Sequence, residues 1–553
     1  MTIADRIIVN GAVLTMDSCM PNAEAIAIAD DRILAVGSNL EIEALAGPET
    51  DRIDANGATV LPGFIESHMH LFIGGAELGN LHLDNCADPD RMRGLIRDYA
   101  ASRPDLPLVV CQSPDYGVFG DTLPRVLLDI ILPDRPLALV GHDHHTVWAN
   151  TAALDAAGIL NGMETDPGHE VVMGPDGLAT GALYEPQAYE PVMCLGGQER
   201  MMLGLNTGRD PDPAPTDAER EEDLAHLKRG LDHCAAQGIT SIVNMDGNVY
   251  TLELLEELRS RGELNVRVRV PFHFVPDMEV GELETARLMN KRWNDDWLSC
   301  GFVKFFMDGV IDSGTAFMTN DYPGRPGHRS TGRFTAERFA DLATRVDALG
   351  LQIAVHAIGD AAIARTLDGI AAARAANGSE IRHRIEHLEL VAPEDFDRLA
   401  ELGVTASIQP AHAPGCAGLP LEPTLTNIGR DRWKDAFAWQ RLAGSGALIA
   451  LASDWPVADV SVMVGLHAAV TREAWVADVP DHRFKLEAAL AGYTIGGAKA
   501  EQTEAKKGSL REGKLADIVI LDGDITGIPS SDIGGMRIRT TICGGAVTYH
   551  GTG

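Results

Sequence analysis

The sequence predicts an α/β chain, a parallel (β/α)8 barrel accompanied by a small β domain assembled from both ends. Three observations predict it. Apolar runs of strand length alternate with amphipathic segments through the middle of the chain. Both ends are instead rich in short strand-like runs broken by turns. Single residues able to bind metals or move protons close several of the apolar runs, which is where barrel enzymes carry their chemistry.

Taken in order, residues 1–58 read as short strands at 6–13, 25–29 and 32–36. Val60 and Phe64-Ile65 then read as a buried strand entered through the Pro62-Gly63 turn and closed by His68-Met69-His70. Residues 75–235 are too long for one βα unit and are expected to hold an insertion. Within it, 196–216 is rich in Gly, Asp and Pro and is expected to be a long loop or lid. Strand candidates lie at 108–112, 137–141, 240–245, 266–274, 302–307, 351–356, 381–387, 404–409 and 448–452. Helix candidates lie at 217–236, 250–261, 335–348, 360–376, 393–402 and 485–500. Strands apolar on both faces, each followed by a helix, imply a parallel sheet. About eight such units after position 60 suit a barrel better than an open sheet. From about 508 the chain returns to short strands, including 516–521 and 537–543 before a Gly544-Gly545 turn. The expected boundaries are therefore 1–58 with 505–553 for the β domain and 59–504 for the barrel.

Composition narrows the function. The chain has 553 residues, and 46 basic against 80 acidic side chains give a formal charge of −34. That balance argues against binding a phosphate backbone and predicts no nucleic-acid partner. No apolar run approaches the ~18–20 residues of a membrane span, so no membrane partner is expected. Residues 1–17 resemble neither a signal nor a transit peptide, and a cytoplasmic location is expected. The eight cysteines are scattered without a CxxC pair, which fits free thiols better than a disulfide framework or a Cys-rich zinc site. A small-molecule substrate is expected, with a homodimer as the default assembly.

His68 and His70 stand two apart on a strand, so both imidazoles project to one face. Two converging imidazoles suit a divalent transition metal, and the bland alternative is a pair of hydrogen-bonded core histidines. His356, His387 and Asp454 each end a later apolar run, in chain order after that pair. With only nine lysines in the chain, Lys304 inside Phe302-Val303-Lys304-Phe305-Phe306 stands out. Burial there lowers an amine's pKa and leaves it nucleophilic, able to take up carbon dioxide as a metal-bridging carbamate. The structural alternative is a buried ion pair of Lys304 with Asp308 or a glutamate.

These residues sit in motifs that resemble the amidohydrolase superfamily, in the amidohydrolase 3 branch of N-substituted formamide deformylase-like and YtcJ-like proteins. The motifs are Pro62-Gly63-Phe64-Ile65-Glu66-Ser67-His68-Met69-His70, Val303-Lys304-Phe305-Phe306-Met307-Asp308-Gly309 and Val355-His356-Ala357-Ile358-Gly359-Asp360. Arg384-Ile385-Glu386-His387, Ser453-Asp454-Trp455-Pro456 and 508–517 follow in the family's order, so nearly the whole chain is covered. Glu66 departs from the pattern, which more often has Asp, and 190–215 matches no family motif. The resemblance implies a distorted (β/α)8 barrel with a β-sandwich from both termini. It implies one or two divalent metals, zinc first, held by His68, His70, His356, His387 and a carboxylated Lys304, with Asp454 as a further ligand and the catalytic acid–base. Cleavage of a non-peptide C–N bond (amide, formamide or cyclic amide) is the implied reaction. A deaminase, a lactone or ester hydrolase, and a non-catalytic scaffold are the alternatives. A second cluster, Gly141-His142-Asp143-His144-His145, resembles a family segment that would bring His145 near the substrate. Trp148, Glu185, Asp308, His412 and Trp455 are further candidates for the substrate pocket.

Overall fold

The computed structural model describes residues 2–551 except 84, 85, 87, 115, 121, 142–145, 166–168 and 198. Eight strands of the central region follow one another in chain order. They are β1 (Phe64–Met69), β2 (Ile239–Asn244), β3 (Arg267–Arg269), β4 (Phe302–Phe306), β5 (Gln352–Ala357), β6 (Arg384–His387), β7 (Thr405–Ile408) and β8 (Leu448–Leu451). One parallel sheet holds β1, β2, β3 and Leu298–Ser299, and a second runs from Phe272–His273 through β4, β5, β6 and β7 to β8. The break between them falls at Pro271, which has no N–H to give to a ladder. Beyond β8, Asp454 N donates to His68 O at 2.8 Å and His70 N to Trp455 O at 2.7 Å, so the last segment returns to the end of the first strand.

β1, β2, β5, β6 and β7 are buried on both faces along their whole length. Register sets which side chains share a face. Lys304 lies opposite Ala354, Phe306 opposite His356, and Ala357 opposite His387. The helix Ala336–Ala348 shows how the covering layer is specified. Thr335 caps it by accepting from Arg338 N, Glu337 sits in its first turn, and Phe339, Leu342, Ala343 and Val346 form its buried stripe. The single helix expected over 485–500 is divided into Leu486–Ala491, a π turn at Gly492–Gly496, and Gly497–Ala500. The reason is close approach to β8: a Cβ on Gly496 would stand 2.4 Å from Ile449 O and one on Gly492 2.5 Å from the Leu451 side chain.

Strands from the two ends of the chain share one sheet, ordered Ala546–His550, Ile538–Cys543, Ile518–Leu521, Thr59–Pro62, Ala12–Leu14, Asn22–Ala23. A four-stranded sheet of Arg32–Gly37, Ala25–Ala29, Ala4–Val9 and Ala46–Asp54 contributes Ile8, Ile26, Ile28 and Ile33 to the same apolar cluster as Val60, Ile518, Ile520 and Ile542.

Residues 72–203 with 211–229 form a compact unit of their own. Its sheet is ordered Glu170–Met173, Ala179–Tyr184, Thr146–Ala149, Leu137–Val140, Val109–Gln112, Leu81–His82. An apolar cluster lies on either side of it, one around Met92, Ile96, Leu128 and Leu139 and the other around Ala138, Val147, Leu154 and Leu183. The strand candidates at 108–112 and 137–141 belong to this sheet. The loop expected over 196–216 is corrected at its start, where Glu199–Asn206 is helical. Met201 is buried there, and Arg200 forms a two-pronged pair with Asp223 at 2.9 and 3.1 Å, so apolar and ionic anchors override the Gly and Pro signal that follows.

Candidate metal centre

β1 delivers His68 and His70 to its C-terminal end, and each ring is aimed by a carboxylate behind it. His68 Nδ1 meets Glu386 Oε2 at 2.9 Å, and His70 Nδ1 meets Asp246 Oδ1 at 3.0 Å. In each ring Nδ1 turns to the outer carboxylate, which leaves Nε2 to face inward. Both Nε2 atoms lie 3.2 Å from Asp454 Oδ1. Asp454 follows β8 with a φ of +62°, a strained conformation for a non-glycine residue and one that recurs at functional sites. Burial alone would raise the Asp454 carboxyl, but His68 and His70 outweigh it and hold it well below the usual range. Burial pulls His70 down, yet its hydrogen bonds to Asp246 and Asp454 prevail and raise it to about 9.

β5 and β6 add His356 and His387. The rings form a continuous group: His68 to His70 at 5.7 Å between centroids, His68 to His387 at 4.9 Å and His356 to His387 at 4.4 Å. His356 Nε2 donates to Gly309 O at 3.1 Å, which leaves Nδ1 with the lone pair. Burial, reinforced by the Lys304 charge, lowers His356 to about 3 and keeps the ring neutral, the form that binds metal. His387 ends β6 at a φ of +76°, and its Nδ1 is buried with no hydrogen-bond partner.

Lys304 on β4 is fully buried, with Nζ 4.7 Å from the Phe306 ring centre and no hydrogen-bond partner. Burial lowers its amine to about 8 against the opposing pull of Glu386 and Asp454. Asp308, its alternative ion-pair partner, directs both oxygens at the backbone N–H groups of Phe317, Ile358 and Gly359.

A second layer locks the first. Arg384, wholly buried, pairs with Glu386 through Nε at 2.5 Å and Nη2 at 2.9 Å, and Nη2 also reaches Ser67 O and Ser407 Oγ. Glu66 Oε1 accepts from His68 N and Ser453 N, so this carboxylate ties β1 to the residue before Asp454. Burial raises Glu66 to about 8. The longer side chain in place of the family's usual Asp thus has a defined backbone-bridging role.

The other sequence candidates fall as follows. His412 stacks on His387 at 6.2 Å, and His387, Glu389 and His412 bring ligand atoms within 4.8 Å of one another. Trp455 packs 5.6 Å from the His233 ring, with its carbonyl bonded to His70 N. Trp148 lies within the 72–203 unit's own core, 5.0 Å from Phe119. Glu185 is half-buried at a φ of +66°, just before the helix Pro186–Met193. His145 lies outside the described residues. Sequence reasoning missed Asp246, Glu386 and Glu389. Asp246 follows an apolar strand as His356 and Asp454 do, and Glu386 stands inside a motif already singled out, so position offered a signal for both.

Four imidazoles, an amine and a carboxylate converge in a buried site where Lys304 Nζ and His387 Nδ1 lack hydrogen-bond partners. Buried polar atoms left open in this way fit a divalent cation with nitrogen and oxygen ligands. Comparison with known proteins gives the family. The chain is 29% identical over 560 residues to the Arabidopsis thaliana protein LONG AFTER FAR-RED 3, covering 98% of this chain and 91% of that one. It is 26% identical to N-substituted formamide deformylase of Arthrobacter pascens, covering 99% of both. A solved structure of an uncharacterized metal-dependent hydrolase from Pyrococcus horikoshii superposes with a TM-score of 0.74 at 21% identity, covering 95% of this chain and 99% of that one. The family model described as the amidohydrolase family matches residues 51–549. The chain belongs to the amidohydrolase family, in its amidohydrolase 3 branch.

Proposed function

We propose that this chain hydrolyses a non-peptide C–N bond of a small amide-like molecule, with Asp454 as the proton carrier. The observation that carries the reading is the convergence of the His68 and His70 Nε2 atoms on Asp454 Oδ1, each at 3.2 Å. N-substituted formamide deformylase, whose name states a reaction of this kind, is a full-length relative. The two parallel sheets are read as one distorted (β/α)8 barrel spanning 59–504, and the sheets from the chain ends as a β-sandwich domain of 1–58 and 505–553.

His68 and His70 would hold the metal through Nε2 and His356 through Nδ1, with His387 completing the imidazole set. A divalent ion, zinc as the first choice, would acidify a water molecule and polarise a carbonyl when bound there. The neutral Lys304 amine can attack carbon dioxide, losing one proton to give a carbamate whose oxygens replace an ammonium with an anion. An anionic ligand of this kind supports a second ion. Asp454, held ionised by its histidine neighbours, accepts the proton of the attacking water. It then returns that proton to the departing nitrogen, which leaves as a neutral amine. Arg384 and Glu386 keep His68 oriented through the cycle, and Asp246 does so for His70.

Metal analysis and turnover of N-substituted formamides test this together. Wild type is expected to carry one or two zinc-like ions per chain. Asp454→Asn should retain imidazole-held metal and lose on the order of 10²–10⁴-fold in rate. Lys304→Ala should lose metal as well as activity. A metal-free wild type, after reconstitution with zinc and bicarbonate, would overturn the mechanism.

A further inference from the structure

Beside β3 lies a cavity of about 240 Å³ that contains no residue of the metal centre. Four cations line it, and three are answered. Arg267 is bound by both oxygens of Asp517 at 2.9 and 3.0 Å, Lys506 by Asp296 at 2.6 Å and Lys507 by Glu501 at 2.7 Å. Arg269 differs. It is 8% exposed, its Nη1 donates to the neutral Gln352 Oε1 at 2.9 Å, and one face of its guanidinium lies 4.7 Å from the Phe302 ring centre.

The open edge of Arg269 is defined by its neighbours. Nη1 is engaged, Phe302 covers one face, and Gly301 leaves room beside Nη2, where a Cβ would come within 3.2 Å. Burial lowers the guanidinium to about 10 against the pull of Glu501, which lines the same cavity with Asp295 and Asp296 and whose Oε1 has no hydrogen-bond partner, so Arg269 has an acidic neighbour but no direct ion pair. A planar guanidinium with a free edge matches the geometry of a carboxylate or phosphate, which it binds through two parallel N–H donors. A charge taken out of water gains most from a partner of opposite sign.

We propose that this cavity is a binding site for a small oxyanion, a carboxylate or a phosphate group, seated on the free edge of Arg269. Ser299 and Gly301 belong to the same cavity wall, and Lys507, paired with Glu501, also donates to Ser241 Oγ at 2.6 Å.

Isothermal titration of the full chain with sodium acetate and, separately, with sodium phosphate tests it, with sodium chloride as the reference. Saturable binding of one of them at one site per chain is expected, acetate marking an organic acid and phosphate a phosphorylated ligand. Arg269→Gln should weaken that binding by at least on the order of tenfold. Gly301→Ala keeps the charge but crowds Nη2, so it should weaken the same binding even if the charge-removing variant does not fold. No saturable heat with either anion, or binding unchanged in the folded variants, would overturn the proposal. The second result would place the anion elsewhere, the metal centre included.

Discussion

At the scale of single residues, the centre depends on which nitrogen of each imidazole carries the proton. Asp246 sits 3.0 Å from His70 Nδ1 and touches nothing that reacts, so its contribution is orientation and basicity. Asp246→Asn is expected to lower metal affinity by about 10–100-fold, measured by chelator competition, while Asp454→Asn lowers the rate with far less effect on affinity. Equal effects of the two changes on affinity would contradict the division of roles. The residues that converge at the centre were legible as candidates because each ends an apolar run, and Lys304 because a lysine among phenylalanines is rare in this chain. Asp246 and Glu386 were harder to read. Carboxylates placed behind a ligand are chosen by three-dimensional contact across strands 176 and 318 residues apart, and no local spacing records that.

At the scale of elements, two buried polar ties hold neighbouring pieces in place. Arg384 joins β6 to β1 through Ser67 O and to β7 through Ser407 Oγ. Arg384→Ala strands Glu386 as a buried anion and should cost about 3–5 kcal/mol in urea unfolding. The second tie links the helix Ala336–Ala348 to the start of β6. His383 Nε2 donates to Asp347 Oδ1 at 3.0 Å, while its Nδ1 accepts from Ile353 N at 3.1 Å. Burial pushes the Asp347 carboxyl up, but His383 and Asn377 outweigh it and bring it to about 2. Its folded-state pKa is below the unfolded value of ~3.9, so its contribution of about 2 kcal/mol is present above that value and lost as pH falls toward 2. Asp347→Asn should therefore be less stable than wild type at pH 6, with the gap narrowing below about pH 4 and closing near pH 2. A gap that persists at low pH would refute this origin. Element order and type were largely legible, the helix expected at 335–348 being found at Ala336–Ala348. The misses arose where tertiary contact overrode local signal, at the π turn pressed onto β8 and at the helix beginning with Glu199.

At the scale of the molecule, a net charge of −34 makes self-repulsion a measurable term. Raising sodium chloride from ~10 to ~150 mM shortens the screening length from ~30 to ~8 Å, so the unfolding midpoint should rise by a few degrees. A midpoint that falls would mean that attractive surface pairs dominate. No described helix is long and apolar enough to cross a membrane. The β-rich ends were legible as a pair because both show the same short-strand texture. The internal pairing of the 72–229 stretch was not, since its sheet mixes parallel and antiparallel partners that periodicity cannot assign. The shared end sheet also has a consequence for biosynthesis. Thr59–Pro62 pairs with Ile518–Leu521, so a strand that ends up fully buried emerges early from the ribosome and lacks that neighbour for some 450 residues of further synthesis. At ~5–20 residues per second the wait is on the order of half a minute or longer. During that interval the nascent chain presents an open strand edge, the kind of surface through which chains associate wrongly.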